Sequence, residues 1–197
     1  PPHEACTWGF YGTRGLAAKY IITAGHCGRR GYALSHNGVT FSDPADRNVF
    51  DEVTSSNSDS MTAHVLGSPN AVSPFNTIYV SSTDKSHAIT ATKSNDSQTV
   101  GTPVCFSGVV SSSLCGVIEA TGINGSLARF DGQSVFFVNL VQMSRNANSG
   151  DSGGPVYNLA TAFGISTAIN GAGHLVYSRI GNVGLDMGIT VCKTSAC

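Results

Sequence analysis

Residues 146–157 read NANSGDSGGPVY and set three glycines and a proline around one Asp-Ser pair. Glycine loses more conformational freedom on folding than any other residue, and proline has no amide proton, so the stretch suits neither a helix nor a strand interior. It is either a loose surface loop or a backbone shaped to bring groups together at Ser152. Residues 23–27, TAGHC, bear on that choice. They close a strand reading Lys19-Tyr20-Ile21-Ile22 and place His26 at its end, where the neighbouring half-cystine Cys27 fixes the ring.

Those residue types fit nucleophilic acyl transfer. A serine hydroxyl is a weak nucleophile until an adjacent imidazole takes its proton. A buried carboxylate on the other ring nitrogen fixes the tautomer and stabilises the imidazolium. Asp59 opens the run Asp59-Ser60-Met61-Thr62-Ala63-His64-Val65, in which Met61, Ala63 and Val65 share one face as a core strand requires. Asp51, ahead of Glu52-Val53, is the competing carboxylate, but only Asp59 opens such a run. Two backbone N–H groups must also point at the developing oxyanion. A glycine at 150 lets the chain aim the Gly150 and Ser152 amides into one hole, and Pro155 starts the next strand.

With His26, Asp59 and Ser152 in that chain order, the sequence resembles the chymotrypsin-type (trypsin-like) serine proteases. The secreted bacterial branch of streptogrisins and α-lytic protease is the nearer likeness. Residues 6–27, CTWGFYGTRGLAAKYIITAGHC, resemble its cysteine-to-histidine hairpin, and residues 101–120, GTPVCFSGVVSSSLCGVIEA, resemble its second disulfide loop. The resemblance implies an all-β fold of two antiparallel Greek-key barrels with the active site in the cleft between them. It makes Ser152 the nucleophile, His26 the general acid and base, Asp59 the orienting carboxylate, and Gly150 and Ser152 the oxyanion donors. Ser166-Thr167-Ala168 would pair with the substrate backbone, and Asn146–Ser149 would form one wall of the specificity pocket. Peptides and proteins are the implied substrates, a propeptide or protein inhibitor the implied partner, and a monomer the implied state. Activity is expected to rise with pH through the titration of His26.

The chain departs from that family in four places. Animal relatives pair the aspartate beside the serine with a new N-terminal amine, and bacterial ones often use an arginine after the first cysteine of the second disulfide. Here that position is Phe106, which leaves Arg129 or Arg145 as candidate partners for Asp151. The pocket-side disulfide is missing, since neither the segment before Ser152 nor that after Ser166 carries cysteine. Cys192 and Cys197 instead staple the C-terminal tail, and only five residues precede Cys6. A trypsin-like pocket needs a carboxylate about six residues before the serine, and Asn146 stands there. Ile165 occupies a place where acid-specific relatives carry histidine, and Ala168 one where glycine keeps a pocket open. Small or medium apolar side chains are therefore the expected preference.

Bulk properties agree with a secreted enzyme. The chain has 197 residues, 41% hydrophobic and 12% charged, with a formal net charge of −1. That balance offers no basic footprint for nucleic acid, and no apolar run is long enough to span a membrane. The opening Pro1-Pro2-His3-Glu4 lacks the charged and apolar regions of a signal peptide, so a processed chain is expected. The six cysteines fall into the local pairs Cys6 and Cys27, Cys105 and Cys115, and Cys192 and Cys197, and their spacing does not resemble metal binding. Neither a metal nor an organic cofactor is expected, and an oxidising compartment is. Asn95-Asp96-Ser97 and Asn124-Gly125-Ser126 are glycosylation sequons for a eukaryotic source. His3, His36, His64, His87 and His174 read as surface or structural residues.

Short β-rich runs separated by Gly, Asn, Asp and Ser turns recur along the chain, with no sustained helical period. Gly12–Gly15 and Asn124-Gly125 read as hairpin turns. The polar stretch 81–99 reads as the link between an N-terminal barrel of about residues 1–88 and a C-terminal one of about 98–197. Two rivals share the sequence pattern: a catalytically silent binding protein on the same fold, and a protease that processes itself once. All three triad residues are present, which disfavours the first.

Overall fold

The computed structural model describes residues 6–15, 18–36, 39–66, 75–80, 86–129, 131–195 and 197. In the N-terminal half the strands are β1 (Phe10–Arg14), β2 (Ala18–Thr23), β3 (Ala33–His36), β4 (Val39–Pro44), β5 (Arg47–Asn48), β6 (Ser55–Ser56), β7 (Met61–His64), β8 (Thr77–Tyr79) and β9 (Ser86–Ala88). One helical turn, α1 (Val49–Glu52), follows β5. The C-terminal half contains β10 (Ala91–Thr92), β11 (Pro103–Gly108), β12 (Ser112–Ala128), β13 (Ser134–Asn146), β14 (Pro155–Asn158), β15 (Thr161–Ile169) and β16 (His174–Arg179), then α2 (Ile180–Met187) and β17 (Thr190–Val191).

The C-terminal strands close on themselves. The antiparallel pairings β11–β12, β12–β13, β13–β16, β16–β15, β15–β14 and β14–β11 form a complete ring, so no strand of the ring is left as an edge along its whole length. Its interior is a single apolar cluster containing Val104, Phe106, Ile118, Val141, Met143, Val156, Phe163, Leu175 and Tyr177. Val104 and Phe106 alternate along β11 and both point inward. Among the described residues the N-terminal sheet is open, in the order β17-β1-β2-β7-β5, with β4 joined to it by a bridge from Ser42 to Val65. The last strand, β17, returns across the molecule to pair with β1, Gly12 facing Val191. A second apolar cluster joins the halves: Phe10, Ile22, Val49 and Phe50 pack with Val135, Phe137, Leu140, Tyr157, Val176 and Ile180. At about 25 cal/mol per Å² of buried apolar surface, such a seam holds the two halves together.

Both turn readings move. Gly12, Thr13 and Arg14 lie inside β1, paired with Tyr20, Lys19 and Ala18, so the turn begins at Gly15. Gly125 pairs with Phe137 within β12, at a register shift, and the Asn-Gly pair marks a bulge. The β12–β13 hairpin closes where the Gly132 amide donates to the Arg129 carbonyl and the Gln133 amide to the Asp131 carboxylate. The three disulfides join Cys6 to Cys27, Cys105 to Cys115 and Cys192 to Cys197, as the local spacing suggests. Of the histidines, His3 lies outside the described residues.

Candidate active site

His26 sits in one 3-10 turn, Gly25–Cys27, directly after β2. Its Nδ1 is 2.5 Å from Asp59 Oδ2, and its backbone N–H donates to Asp59 Oδ1 at 3.0 Å. The Asp59 side chain is fully buried, whereas that of His26 keeps 18% of its surface. A carboxylate only accepts, so this contact places the proton on Nδ1 and leaves Nε2 as the basic nitrogen. The ring packs edge-on against Phe50 at 6.3 Å between centroids. Asp51 plays no part in this pair: its Oδ2 accepts the Arg30 backbone N–H at 2.7 Å.

The turn is held by a residue with no obvious signal in the sequence. Asn48, fully buried, donates from Nδ2 to the carbonyls of Gly25 (3.0 Å) and Gly28 (3.1 Å) and caps α1 by accepting from the Phe50 amide. Gly25 permits this approach. A Cβ there would lie 2.7 Å from Asn48 Oδ1, 2.8 Å from Asp59 Oδ1 and 2.8 Å from Phe50 Cβ.

The serine loop backs onto the same turn. The Ser152 carbonyl lies 3.6 Å from Cys27 Sγ, which as a disulfide sulfur has no proton to give, and accepts the Thr7 amide at 2.8 Å. Thr7 Oγ1 in turn donates to the Gly150 carbonyl. Gly150 has φ +104°, open to glycine and strained for other residues. Among the described residues the amides of Gly150 and Ser152 donate to no protein acceptor, so both are available for an oxyanion. Past the serine, the Gly153 amide donates to the Ser166 carbonyl and the Ser166 amide to the Gly154 carbonyl.

Asp151 is not held by an arginine. Its carboxylate, fully buried, accepts from the amides of Val110 (3.1 Å), Ser111 (3.0 Å) and Asn148 (2.9 Å) and from Ser111 Oγ (2.5 Å). Gly108 leaves the space, since a Cβ there would meet Asp151 Oδ1 at 2.1 Å. Both candidate arginines are engaged elsewhere: Arg129 with the Asp51 carbonyl and Asp131, Arg145 with the Cys115 carbonyl. Phe106, at the position that carries arginine in relatives, is buried in the barrel interior, where a guanidinium would have no partner.

The residues expected on the substrate side lie along β15 and in the segment before Ser152. Beyond Ile165, β15 pairs with β16 and no longer with β14, so residues 167–169 present a free strand edge among the described residues. Ser166 and Thr167 are buried and Ala168 half-buried. Asn146 is exposed opposite His174, the Ala147 amide donates to the Gly173 carbonyl at 3.2 Å, and Ser149 is exposed. No cysteine is free. In place of a disulfide, the wall is braced by Glu119 Oε2, which accepts from Gln142 and sits 2.8 Å from His174 Nδ1, while Asn170 binds Gln142. The Gln142 amide, then His174, hold the Glu119 carboxyl below the usual carboxylate range. Cys6, His26 and Cys27 lie close enough to suggest a metal cluster, but the two sulfurs form a disulfide and offer no thiolate.

Comparison with known proteins agrees with this architecture. Among solved structures, Thermobifida fusca protease A superposes with a TM-score of 0.74 at 21% identity, covering 96% of this chain and 92% of its own. The Nocardiopsis protease gives 0.73 at 22%, covering 94% and 92%. A glutamic acid-specific serine protease, described as using a histidine triad in substrate binding, gives 0.74 at 21%, covering 95% and 93%. At these identities the likeness is one of fold. No curated protein sequence matches the chain. The family model named Trypsin matches residues 15–183, which is most of the chain. The chain belongs to the trypsin family and is a serine endopeptidase of chymotrypsin fold.

Proposed function

We propose that the protein is a secreted endopeptidase that cleaves peptide bonds through an acyl-enzyme, with Ser152, His26 and Asp59 as its triad. The observation that carries this reading is the 2.5 Å contact between His26 Nδ1 and the buried Asp59 carboxylate, beside a serine loop in which the Gly150 and Ser152 amides donate to no protein acceptor among the described residues. In the first step Ser152 Oγ attacks the scissile carbonyl while His26 Nε2 takes its proton. Asp59 keeps the imidazolium oriented, and the Gly150 and Ser152 amides receive the oxyanion, each such donor being worth about 2.7–4 kcal/mol. His26 then protonates the leaving amine. Water, deprotonated by the same imidazole, hydrolyses the ester and frees Ser152.

Three disulfides support an extracellular setting. An uncharged pocket is supported by Asn146, by the buried Ile165 and by His174, whose ring is engaged by Glu119. Small or medium apolar residues at the cleaved position fit those walls. Steady-state hydrolysis of a peptide panel tests both parts. Ser152→Ala, His26→Ala and Asp59→Asn should each lower kcat at least about a thousandfold in folded protein. Retention of kcat by a folded Ser152→Ala variant would overturn the mechanism, and fastest cleavage after Lys, Arg or Glu would overturn the pocket assignment.

A further inference from the structure

We propose that Ser178 and Thr167 are positioning residues for the triad carboxylate, registering Asp59 against the strand that receives substrate. The proposal rests on the assignment of Asp59, His26 and Ser152 above. Asp59 belongs to the N-terminal half, yet its backbone amide donates across the molecule to Ser178 Oγ of β16 at 3.0 Å. Ser178 Oγ lies 2.7 Å from Thr167 Oγ1, and Thr167 Oγ1 donates to the Ile165 carbonyl at 3.3 Å. A hydroxyl has one proton, so only one direction gives every donor an acceptor: Asp59 N–H to Ser178, Ser178 to Thr167, Thr167 to the Ile165 carbonyl. Asp59, Ser178 and Ile165 are fully buried and Thr167 is 1% exposed, so bulk water does not reach these links and a lost hydroxyl leaves its partner without its bond.

The strand geometry explains how Thr167 enters this relay. Ser166 pairs with Tyr177 and Ala168 with Val176, so Thr167 is the extra residue of a bulge. A bulge re-aims a side chain, and here it sets the Thr167 hydroxyl beside Ser178. The rest of the Asp59 segment is tied to the same half of the molecule. Ser58 Oγ donates to Asp186 of α2, the Asn57 carbonyl accepts from Asn182 of α2, and Asn139 of β13 reaches the Asn57 side chain. The carboxylate therefore faces His26 while its backbone is referenced to β13, β15, β16 and α2. Any shift between the halves would appear as a change in the Asp59–His26 geometry, and a misplacement of about 1 Å at a reacting centre can cost about a hundredfold.

The test compares kcat and KM on one peptide substrate for Ser178→Ala, Thr167→Val, Thr167→Ser and the double variant Ser178→Ala/Thr167→Val. Ser178→Ala should lower kcat by about ten- to a hundredfold with KM within about twofold. Thr167→Val, nearly isosteric but without the hydroxyl, should lower kcat about threefold or more, whereas Thr167→Ser, which restores the hydroxyl, should recover most of the kcat that Thr167→Val loses. The double variant should be no slower than Ser178→Ala, because one relay is broken only once. If Ser178→Ala does not fold, the Thr167→Val and Thr167→Ser pair decides. Wild-type kcat in folded Ser178→Ala or Thr167→Val, even with a lowered Tm, overturns the relay. If Ser152→Ala retains activity, the triad reading fails first, and the relay falls with it.

Discussion

Removing the Ser111 hydroxyl would test how the oxyanion loop is held. Ser111 Oγ is one of the four donors to the buried Asp151 carboxylate and also accepts from Asn148 Nδ2 at 2.8 Å. A hydrogen bond to a charged group contributes about 1.5–3 kcal/mol. The exposed Asn148 amide recovers water and adds little. Ser111→Ala should therefore destabilise the fold by about 2 kcal/mol, which for a domain of this size lowers Tm by roughly 4–8 °C. Asp151 lies between Gly150 and Ser152, the proposed oxyanion donors, so the same change should misaim their amides. Full loss of one donor costs about a hundred- to a thousandfold in kcat, so partial misalignment should cost about tenfold, with KM little changed. The assay is a thermal melt followed by peptide hydrolysis below the transition. Arg145→Ala is the control, since that arginine bonds the Cys115 carbonyl and does not touch Asp151. A Tm and kcat for Ser111→Ala equal to wild type, or an equal loss in Arg145→Ala, would refute the account of Asp151.

Further outcomes follow from the same geometry. Gly25→Ala puts a methyl against Asn48, Asp59 and Phe50, so it should cost about 1–3 kcal/mol of stability and lower kcat more than tenfold, measured by melting and hydrolysis. Burial pushes the Tyr177 and Tyr11 hydroxyls above the ordinary phenol range. Their neutral forms thus stabilise the fold below the unfolded value of about 10, and that contribution is lost as pH rises beyond it. An alkaline titration followed by phenolate absorbance should show these two ionising only as the near-ultraviolet circular dichroism collapses; earlier ionisation of either would contradict their burial.

The parts visible from sequence and those hidden from it differ for a physical reason. The His26–Asp59 contact, the three disulfides and the serine proposed as nucleophile, Ser152, were legible from local patterns: a strand followed by TAGHC, a strand opened by aspartate, cysteines close along the chain, and a glycine-framed Asp-Ser pair. Asp151's partner was not, because Ser111 is 40 residues away in a run of serines that reads as an ordinary turn. Asn48, Thr7 and Ser178 were hidden for the same reason, each acting on a residue far off in sequence, and the Thr167 hydroxyl because a bulge in β15 sets it beside Ser178. Helix α2 also escaped notice. It has eight residues, includes Gly181 and Gly184, which disfavour helix, and ends at Gly188 with φ +60°. Its apolar residues Ile180, Val183 and Met187 are spaced three and four apart, too short a run to display a period. Asn124-Gly125, a strong turn signal alone, was overridden by the barrel, which continues β12 through it as a bulge.

The most direct measurement is the site of covalent reaction with a fluorophosphonate, a probe that phosphonylates only a serine activated by its neighbours. Folded wild-type protein is incubated with the probe, digested, and its peptides are mapped by mass spectrometry beside Ser152→Ala. One adduct on Ser152, absent in the variant and slowed at least about a hundredfold in His26→Ala, is the predicted result. An unlabelled wild type, or an adduct that persists in Ser152→Ala, would contradict the catalytic assignment.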